Sequence, residues 1–230
     1  MGNMNERSID QEKQEAARRS LAFVRDGHIV GLGTGSTAAH AIRFLGERVR
    51  EGLKIRGIPT SVSSRDLALK VGIPLTTFEE SPAVDVTIDG ADEIDPRLHL
   101  IKGGGGALLR EKIVASASRT VVIIADSAKR VPVLGKFPLP VEVVPFAEAL
   151  LIRRIAALGA PAVLRRTRTG EPFVTDEGHH ILDCSFGAIP NPESLARELE
   201  RMPGVVEHGL FIGLATVALL GADIEMRRPT

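Results

Sequence analysis

The sequence predicts an α/β protein, in which an open, mostly parallel sheet carries helices on both faces and a smaller α+β domain is attached. Two observations predict this fold class. Short β-branched runs alternate with helix-like stretches through the first half of the chain. A proline-rich stretch over 132–145 then marks a boundary, after which the order of elements changes.

In the larger domain, strands are predicted at 28–32, 84–88 and 120–125, with helices at about 38–51, 63–71 and 106–118. Each strand ends in a small or acidic residue, namely Gly33, Asp89 or Asp126. Alternating strands and helices are typical of a Rossmann-like sheet, which binds ligands outside the carboxyl ends of its strands. The three loops that begin at these residues are therefore predicted to open on one edge.

In the smaller domain, we predict strand 140–144, helix 146–158, strand 161–167, a hairpin within 173–183 that turns near 177–178, helix 192–201 and strand 204–208. This order is typical of a ferredoxin-like α+β layer. The apolar tail 209–224 is expected to return to the first domain. The predicted division is therefore 1–134 with 208–230 for the catalytic domain, and 135–207 for the small one.

Composition excludes several classes of function. Lys plus Arg and Asp plus Glu both number 29, and Phe is the only aromatic residue, which argues against a nucleic-acid partner. The longest uncharged run, 209–222, is too short to span a membrane as a helix. The single cysteine, Cys184, excludes an intramolecular disulfide and fits a reducing compartment. A cytoplasmic protein is expected, and no metal-binding His-Glu-x-x-His pattern is present.

The first candidate site is GLGTGSTAAHAI at 31–42, a glycine-rich loop between a strand and a helix. Backbone N–H groups at the start of a helix bind anions, and three hydroxyl side chains add donors, so the loop suits a phosphate. The dinucleotide fingerprint fails because its third glycine is missing, and the lysine of a P-loop is absent. The alternative is a capped helix, with Ser36 or Thr37 as the N-cap.

The second candidate is TIDGADEID at 87–95, where four carboxylates follow an apolar strand: Asp89, Asp92, Glu93 and Asp95. Carboxylates this close raise one another's pKa values unless cations, water or a ligand offset them. They suit a magnesium site, or they bind sugar hydroxyls and transfer protons. The alternative is a solvated turn.

The third candidate is IKGGGGALLREKI at 101–113. Helical periodicity centres the apolar residues Leu109 and Ile113 opposite Glu111, so Glu111 is predicted on the non-core face, toward solvent or a cleft. Lys102 precedes the glycines, where its ammonium meets an anionic ligand atom or is simply exposed. A fourth segment, 126–129, holds Asp126 and Lys129 on the same edge and is weak by itself.

Together, five segments closely resemble the A-type ribose-5-phosphate isomerase family, in the same order over nearly the whole chain. They are GLGTGSTA at 31–38, DGADEID at 89–95, IKGGGGALLREKI at 101–113, residues 126–129 and GKFPLPVEVVP at 135–145, with PGVVEHGLF at 203–211 in addition. The resemblance implies an aldose–ketose isomerase of the pentose phosphate pathway that interconverts ribose 5-phosphate and ribulose 5-phosphate. It also implies no metal or organic cofactor, and a homodimer or homotetramer.

Carried over by the resemblance, Glu111 is the base that moves a proton between C2 and C1 through an enediolate, and Lys102 stabilises the developing oxyanion. Asp89 and Asp92 bind hydroxyls and assist ring opening. The further substrate-binding residues that it implies are Lys13, Thr34, Gly35, Ser36, Thr37, Gly90, Ala91, Gly103, Gly104, Gly105 and Lys129. One departure is that the family commonly reads Asp-x-Ser-Lys, whereas the serine here is Ser127, one position earlier.

The glycine run is interpreted as main chain that lies against the sugar, where any side chain would occupy ligand space. Two rival functions stay open at this point. An amino-sugar-phosphate deaminase of related fold would need a different acid–base set. A sugar-phosphate-sensing module would bind without turnover, but the sequence has no DNA-binding segment and a sensor has no need of Glu111.

Overall fold

The computed structural model describes residues 8–228. Six α-helices are present in this range: α1 (Ile9–Ser20), α2 (Ser36–Arg50), α3 (Val62–Val71), α4 (Leu108–Ser116), α5 (Glu148–Ala157) and α6 (Pro192–Glu200). Thirteen strands accompany them: β1 (Ile29–Leu32), β2 (Arg56–Pro59), β3 (Val84–Asp89), β4 (Glu93–Ile94), β5 (Leu100–Ile101), β6 (Ser118–Ala125), β7 (Leu139–Val143), β8 (Ala162–Leu164), β9 (His180–Cys184), β10 (Val205–His208), β11 (Leu210–Phe211), β12 (Val217–Leu220) and β13 (Ile224–Arg227). Within residues 8–228, no helix has the length and apolar character needed to cross a membrane.

A six-stranded sheet in the order β13-β12-β6-β3-β1-β2 forms the larger layer. All of its neighbouring strands are parallel except β12 and β13. The predicted open, mostly parallel sheet is therefore confirmed, as is the return of the tail, which supplies β12 and β13. The sequence analysis did not identify β2, because RGIP contains a glycine and a proline, which are depleted in strands.

Helices cover both faces of this sheet, as predicted. Alternate residues of the strands, such as Val30 and Leu32, pack against α1, α2 and α3 on one face. The other face packs against α4 and a three-stranded sheet, β11-β5-β4, through residues such as Ile123 and Phe211. Burial on both sides explains why the central strands are continuous apolar runs.

The second layer is a four-stranded antiparallel sheet in the order β10-β7-β9-β8, packed against α5 and α6. Along the chain its elements run strand, helix, strand, strand, helix, strand, and the fourth strand lies beside the first. This is the ferredoxin-like arrangement that the sequence predicts. The predicted hairpin is partial: Gly178 N–H donates to Thr175 O at its turn, and a single bridge joins Val174 to His180.

The division into a catalytic domain (1–134 with 208–230) and a small domain (135–207) stays a prediction, and its residues 1–7 and 229–230 lie outside the described range. The four-stranded sheet lies within residues 139–208. Helix α1 is held to the large sheet because Arg19 donates to the carbonyl oxygens of Gly221 and Ile224. That contact sets where Lys13, on the same helix, is located.

Candidate active site

The predicted site residues converge where β1 and β3 lie side by side. The chain leaves β1 toward β2 on one side and continues from β3 toward β6 on the other, and such a switch point opens a crevice at the carboxyl ends of the strands. A cavity of about 140 Å³ lies there. Its walls comprise Lys13, Thr34, Gly35, Ser36, Thr37, Gly90, Ala91, Asp92, Lys102, Gly103, Gly104, Gly105, Glu111 and Lys129.

The start of α2 forms one wall of the cavity. Gly35 is the N-cap, with φ +99°, and no side chain caps the helix, so Ser36 and Thr37 are not caps as the alternative required. The first amides of a helix have no partner within the helix, and here they adjoin the cavity. Lys13 Nζ donates to Ser36 Oγ at 3.2 Å, which adds a cation to the same wall. These groups favour an anion.

Asp89 lies beneath the cavity rather than on its wall, and it is 2 % exposed. Its Oδ1 accepts from the N–H groups of Thr34 at 3.0 Å and Gly90 at 2.7 Å. Its Oδ2 lies 3.0 Å from Lys102 Nζ. Asp89 therefore joins the loops after β1 and β3 and fixes the lysine between them.

Lys102 is buried, so the alternative of an ordinary exposed lysine is wrong. Its ammonium donates to Gly90 O at 2.5 Å and lies 3.4 Å from Glu111 Oε1. The same ammonium lies 5.4 Å from the ring centroid of Phe211. Burial by itself lowers the pKa of Lys102, but the nearby carboxylates of Asp89 and Glu111 outweigh burial and raise that pKa overall. Lys102 thus stays cationic.

Glu111 is 5 % exposed and has one unused oxygen. Its Oε2 is buried and has no hydrogen-bond partner among the described residues. Burial and the charge of Asp89 raise the pKa of Glu111 to about 8, against the opposing effect of Lys102. A carboxyl group with this pKa exchanges protons near neutral pH, which suits a general base.

Glu111 lines the cavity, as the cleft alternative required, but the predicted core face of α4 was wrong. Leu108, Glu111, Val114 and Ala115 are its buried residues, whereas Ile113 is 45 % exposed. Periodicity misleads here because a charged residue takes an inward position: the buried ammonium of Lys102 offsets its charge. The neighbours of Glu111 anchor the helix, since Arg110 binds Glu177 and Lys112 binds Glu207.

Protein packing and backbone conformation, as well as access for a ligand, account for the glycine run. Gly103 has φ +103°, which other residues rarely adopt, and a Cβ there would lie 2.8 Å from Leu108. A Cβ on Gly104 would lie 2.6 Å from Asp92 Oδ1. Only at Gly105 is the surrounding space open, with Thr34 Cγ2 at 3.7 Å as the nearest atom. The ligand-space interpretation therefore holds best for Gly105.

The four carboxylates of 89–95 separate into two groups. Asp92 lines the cavity and accepts from Gly104 N–H at 2.8 Å. Glu93 accepts from the N–H groups of Gly135 and Phe137, and Asp95 from those of Arg97 and His99, so both hold turns. Within residues 8–228, no group of three His, Cys, Asp or Glu side chains is arranged to hold a metal ion.

The segment after β6 contributes Lys129 to the cavity wall, from a 3₁₀ turn over Ser127–Lys129. Ser127, the displaced serine, is exposed and lines no part of this cavity. Its N–H donates to Glu12 Oε2 at 2.6 Å. This bond holds the turn against α1, and it therefore fixes the position of Lys129 relative to Lys13.

Sequence reasoning missed three side chains that support the site, namely Thr60, Ser61 and Arg165. The hydroxyl of Thr34 bonds to the hydroxyls of Thr60 and Ser61, both at 2.8 Å, so it is directed into the protein. Arg165 pairs with Asp183 and donates to Gly103 O at 2.8 Å, which holds the glycine run from the small sheet. The capping sequence SVSS at 61–64 was a usable signal for Ser61, whereas nothing local pointed to Arg165.

Comparisons with known proteins show which family the chain belongs to. The family model of ribose 5-phosphate isomerase A (phosphoriboisomerase A) matches residues 56–224. Ribose-5-phosphate isomerase A of Parvibaculum lavamentivorans is 53 % identical over 222 residues, covering 94 % of this chain and 96 % of that relative. The corresponding protein of Rhodopseudomonas palustris (strain HaA2) is 56 % identical over 218 residues, covering 92 % of this chain and 94 % of that relative.

Solved structures give the same result. A D-ribose-5-phosphate isomerase in complex with phospho-erythronic acid superimposes with a TM-score of 0.93 at 38 % identity, covering 96 % of this chain and all of that one. Ribose 5-phosphate isomerase A of Methanocaldococcus jannaschii gives 0.91 at 42 % identity, with the same coverage. The sequence match and the fold lead to one conclusion: the chain belongs to the ribose 5-phosphate isomerase A family.

Proposed function

We propose that this protein interconverts ribose 5-phosphate and ribulose 5-phosphate, and that Glu111 and Lys102 carry out the proton transfer. The observation that carries the proposal is the buried pair itself: a carboxyl group with one unpartnered oxygen lies 3.4 Å from an ammonium on the wall of a cavity. Isomerisation of an aldose needs a base at C2 and a positive charge at the carbonyl oxygen. This pair supplies both.

The phosphate group of the substrate is assigned to the start of α2. Support comes from the uncapped amides after Gly35, with Lys13 and Lys129 on the same cavity wall. Two lysines and a helix N-terminus offset the charge of a phosphate. Ser36 and Thr37 add hydroxyl donors. Binding the phosphate there leaves the sugar chain to extend toward Glu111.

In the reaction, Glu111 removes the proton on C2 of the open-chain aldose, and the electron pair moves to the C1 oxygen. The ammonium of Lys102 stabilises the negative charge of the resulting enediolate. A proton then passes from the C2 oxygen to the C1 oxygen, and Glu111 returns its proton to C1. The ketose forms as the C2 carbonyl is made, and Glu111 ends ionised as it began. No external oxidant or cofactor is required.

The two aspartates take different roles in this proposal. Asp92 is on the cavity wall and is assigned to a sugar hydroxyl and to ring opening. Asp89 is assigned a positioning role, because its oxygens bond to Lys102 and to the amides of Thr34 and Gly90. This differs from the direct hydroxyl contact that the family resemblance implies for Asp89. Gly90, Ala91 and Gly103 to Gly105 supply backbone to the wall.

We also propose a homodimer or homotetramer in the cytoplasm, as the family resemblance implies. Support for self-association is a set of exposed apolar side chains near the start of α5: Phe146 is fully exposed, and Val144 and Leu150 are 40 % and 48 % exposed. Sedimentation velocity over a range of concentrations tests the assembly. A species that stays monomeric at every concentration would contradict it.

The function is tested by incubating purified protein with ribose 5-phosphate, with and without chelator, and following the ketose by NMR. We expect ribulose 5-phosphate to form at the same rate in both samples. Ammonia released from an amino-sugar phosphate, with no isomerisation, would favour the deaminase. Tight binding of ribose 5-phosphate without turnover would favour the sensor. Loss of turnover with chelator would indicate the magnesium alternative.

A further inference from the structure

A second cavity, of about 470 Å³, adjoins the first. The two share Lys13, Asp92 and Lys129, so they form parts of one crevice. The first cavity, of about 140 Å³, is smaller than the roughly 300–1,000 Å³ typical of ligand pockets. The second cavity brings the crevice into that range. A bound sugar phosphate therefore has room to extend beyond the first cavity.

Asp126 lines the second cavity and is 3 % exposed. No hydrogen bond or ion pair to its carboxylate occurs within residues 8–228. Asp126 differs in this from the other buried aspartates of residues 8–228, because Asp89 and Asp95 each accept from two backbone amides. Because Asp126 lines the second cavity, a bound ligand that donates a hydrogen bond can supply the partner that the protein does not.

The position of Asp126 relates it directly to the site already described. It is the residue before the 3₁₀ turn Ser127–Lys129, and Lys129 N–H donates to Asp126 O at 3.2 Å. Asp126 and Lys129 both line the second cavity but do not form an ion pair with each other. One turn therefore offers an acceptor and a cation to the same space.

We propose that Asp126 is a substrate-binding residue that accepts a hydrogen bond from a hydroxyl group of the sugar chain. The inference rests on the proposed isomerase function and adds a residue to its binding site. A hydroxyl donor fits because a carboxylate repels the phosphate group and accepts well from an alcohol. Lys129 then binds the phosphate group. Asp126 makes the site favour a phosphate ester with hydroxyl groups on its carbon chain over inorganic phosphate.

The test measures binding by calorimetry for wild type, Asp126→Asn and Asp126→Ala. Three probes are used: phospho-erythronic acid, its analogue 4-phosphooxybutyric acid that lacks the free hydroxyls, and inorganic phosphate. Ser127→Ala is the matched control, because it changes the same turn at a side chain that lines neither cavity. Thermal unfolding of each variant checks that it folds, and Asp126→Ser replaces any variant that does not.

We expect Asp126→Asn to weaken the binding of phospho-erythronic acid about tenfold, because a hydrogen bond to a charged group is lost. Asp126→Ala should weaken this binding at least as much. The other two probes should bind the variants as well as they bind wild type. An equal loss of affinity for all three probes would overturn the proposal, since Asp126 would then act through Lys129. Unchanged binding of phospho-erythronic acid would overturn it as well. These measurements need no turnover, so a wild type that binds but does not isomerise would count against the isomerase function alone.

Discussion

Lys102 Nζ lies 3.4 Å from Glu111 Oε1, and the two side chains are 4 % and 6 % exposed. Neighbouring glycines and helix α4 bring them together across nine positions of sequence. Because water barely reaches either group, the charge of each controls the protonation of the other. Asp89 completes the arrangement by holding Lys102 from the other loop. The pH behaviour of the enzyme should follow from this pair.

The first prediction concerns the pH dependence of kcat/KM. Glu111 acts as a base only when ionised, and its ionised fraction increases as pH rises through a pKa of about 8. We expect kcat/KM for ribose 5-phosphate to rise with pH across the neutral range and to level off above that value. Initial rates from pH 5 to 10 measure it. A rising limb near the ordinary pKa of 4.5 would contradict the assignment.

A second prediction concerns stability. Glu111 has a pKa of about 8 in the folded protein and 4.5 as its ordinary value. Between these pH values the folded state holds a proton that the unfolded state does not. The resulting stability is therefore full below 4.5 and lost as pH rises through about 8. Glu111→Gln cannot ionise and should escape this loss.

The comparison is made by urea unfolding of wild type and Glu111→Gln at pH 6 and pH 9. We expect the variant to gain stability relative to wild type on going from pH 6 to pH 9. If the difference between the two free energies of unfolding is the same at both pH values, Glu111 has no raised pKa in the folded protein.

Replacing Lys102 tests the other half of the pair. Lys102→Met keeps the length of the side chain but leaves the buried carboxylate of Asp89 without its cation. Breaking a buried ion pair costs about 3–5 kcal/mol, so we expect a large loss of stability, and turnover should fall with it. Lys102→Arg keeps the positive charge but should also lose turnover relative to wild type, because a planar guanidinium does not fit a site shaped for a compact ammonium. An arginine variant with wild-type kcat would refute this account of Lys102.

The glycine run gives a matched pair of variants. Gly103→Ala places a side chain at φ +103° and 2.8 Å from Leu108 Cδ2, so we expect destabilisation of about 1–3 kcal/mol. Gly105→Ala meets only Thr34 Cγ2 at 3.7 Å and should fold normally, while raising KM because its methyl group faces the cavity. Unfolding midpoints and KM values for both variants measure this contrast. A destabilised Gly105→Ala together with a normally stable Gly103→Ala of raised KM would show that the two glycines have been assigned the wrong roles.

Much of the architecture was predictable because local patterns and tertiary structure agree. The runs that became β1, β3 and β6 are apolar and end in residues suited to ligand loops, and parallel pairing then places those ends together. The strand β2 was missed because its role depends on pairing with β1 rather than on its own composition. The two-residue strands β4, β5 and β11 are likewise products of packing.

The candidate site was predictable only where its residues fall within short sequence motifs. The loops at 33–37 and 89–92 converge because the parallel strands β1 and β3 end side by side, and the loop at 102–105 joins them from β5. The burial of Glu111 was not predictable from helical periodicity, since it depends on Lys102, a residue outside the helix. Arg165 was missed for a similar reason: it reaches Gly103 from another sheet, 62 positions along the chain.

The most direct test of the central claim compares wild type with Glu111→Gln for two quantities, the kcat for ribose 5-phosphate and the affinity for phospho-erythronic acid. If Glu111 is the base, kcat should fall by about 10²–10⁴-fold while affinity stays close to that of wild type. A variant that retains wild-type kcat would contradict the account, because another group would then have to move the proton.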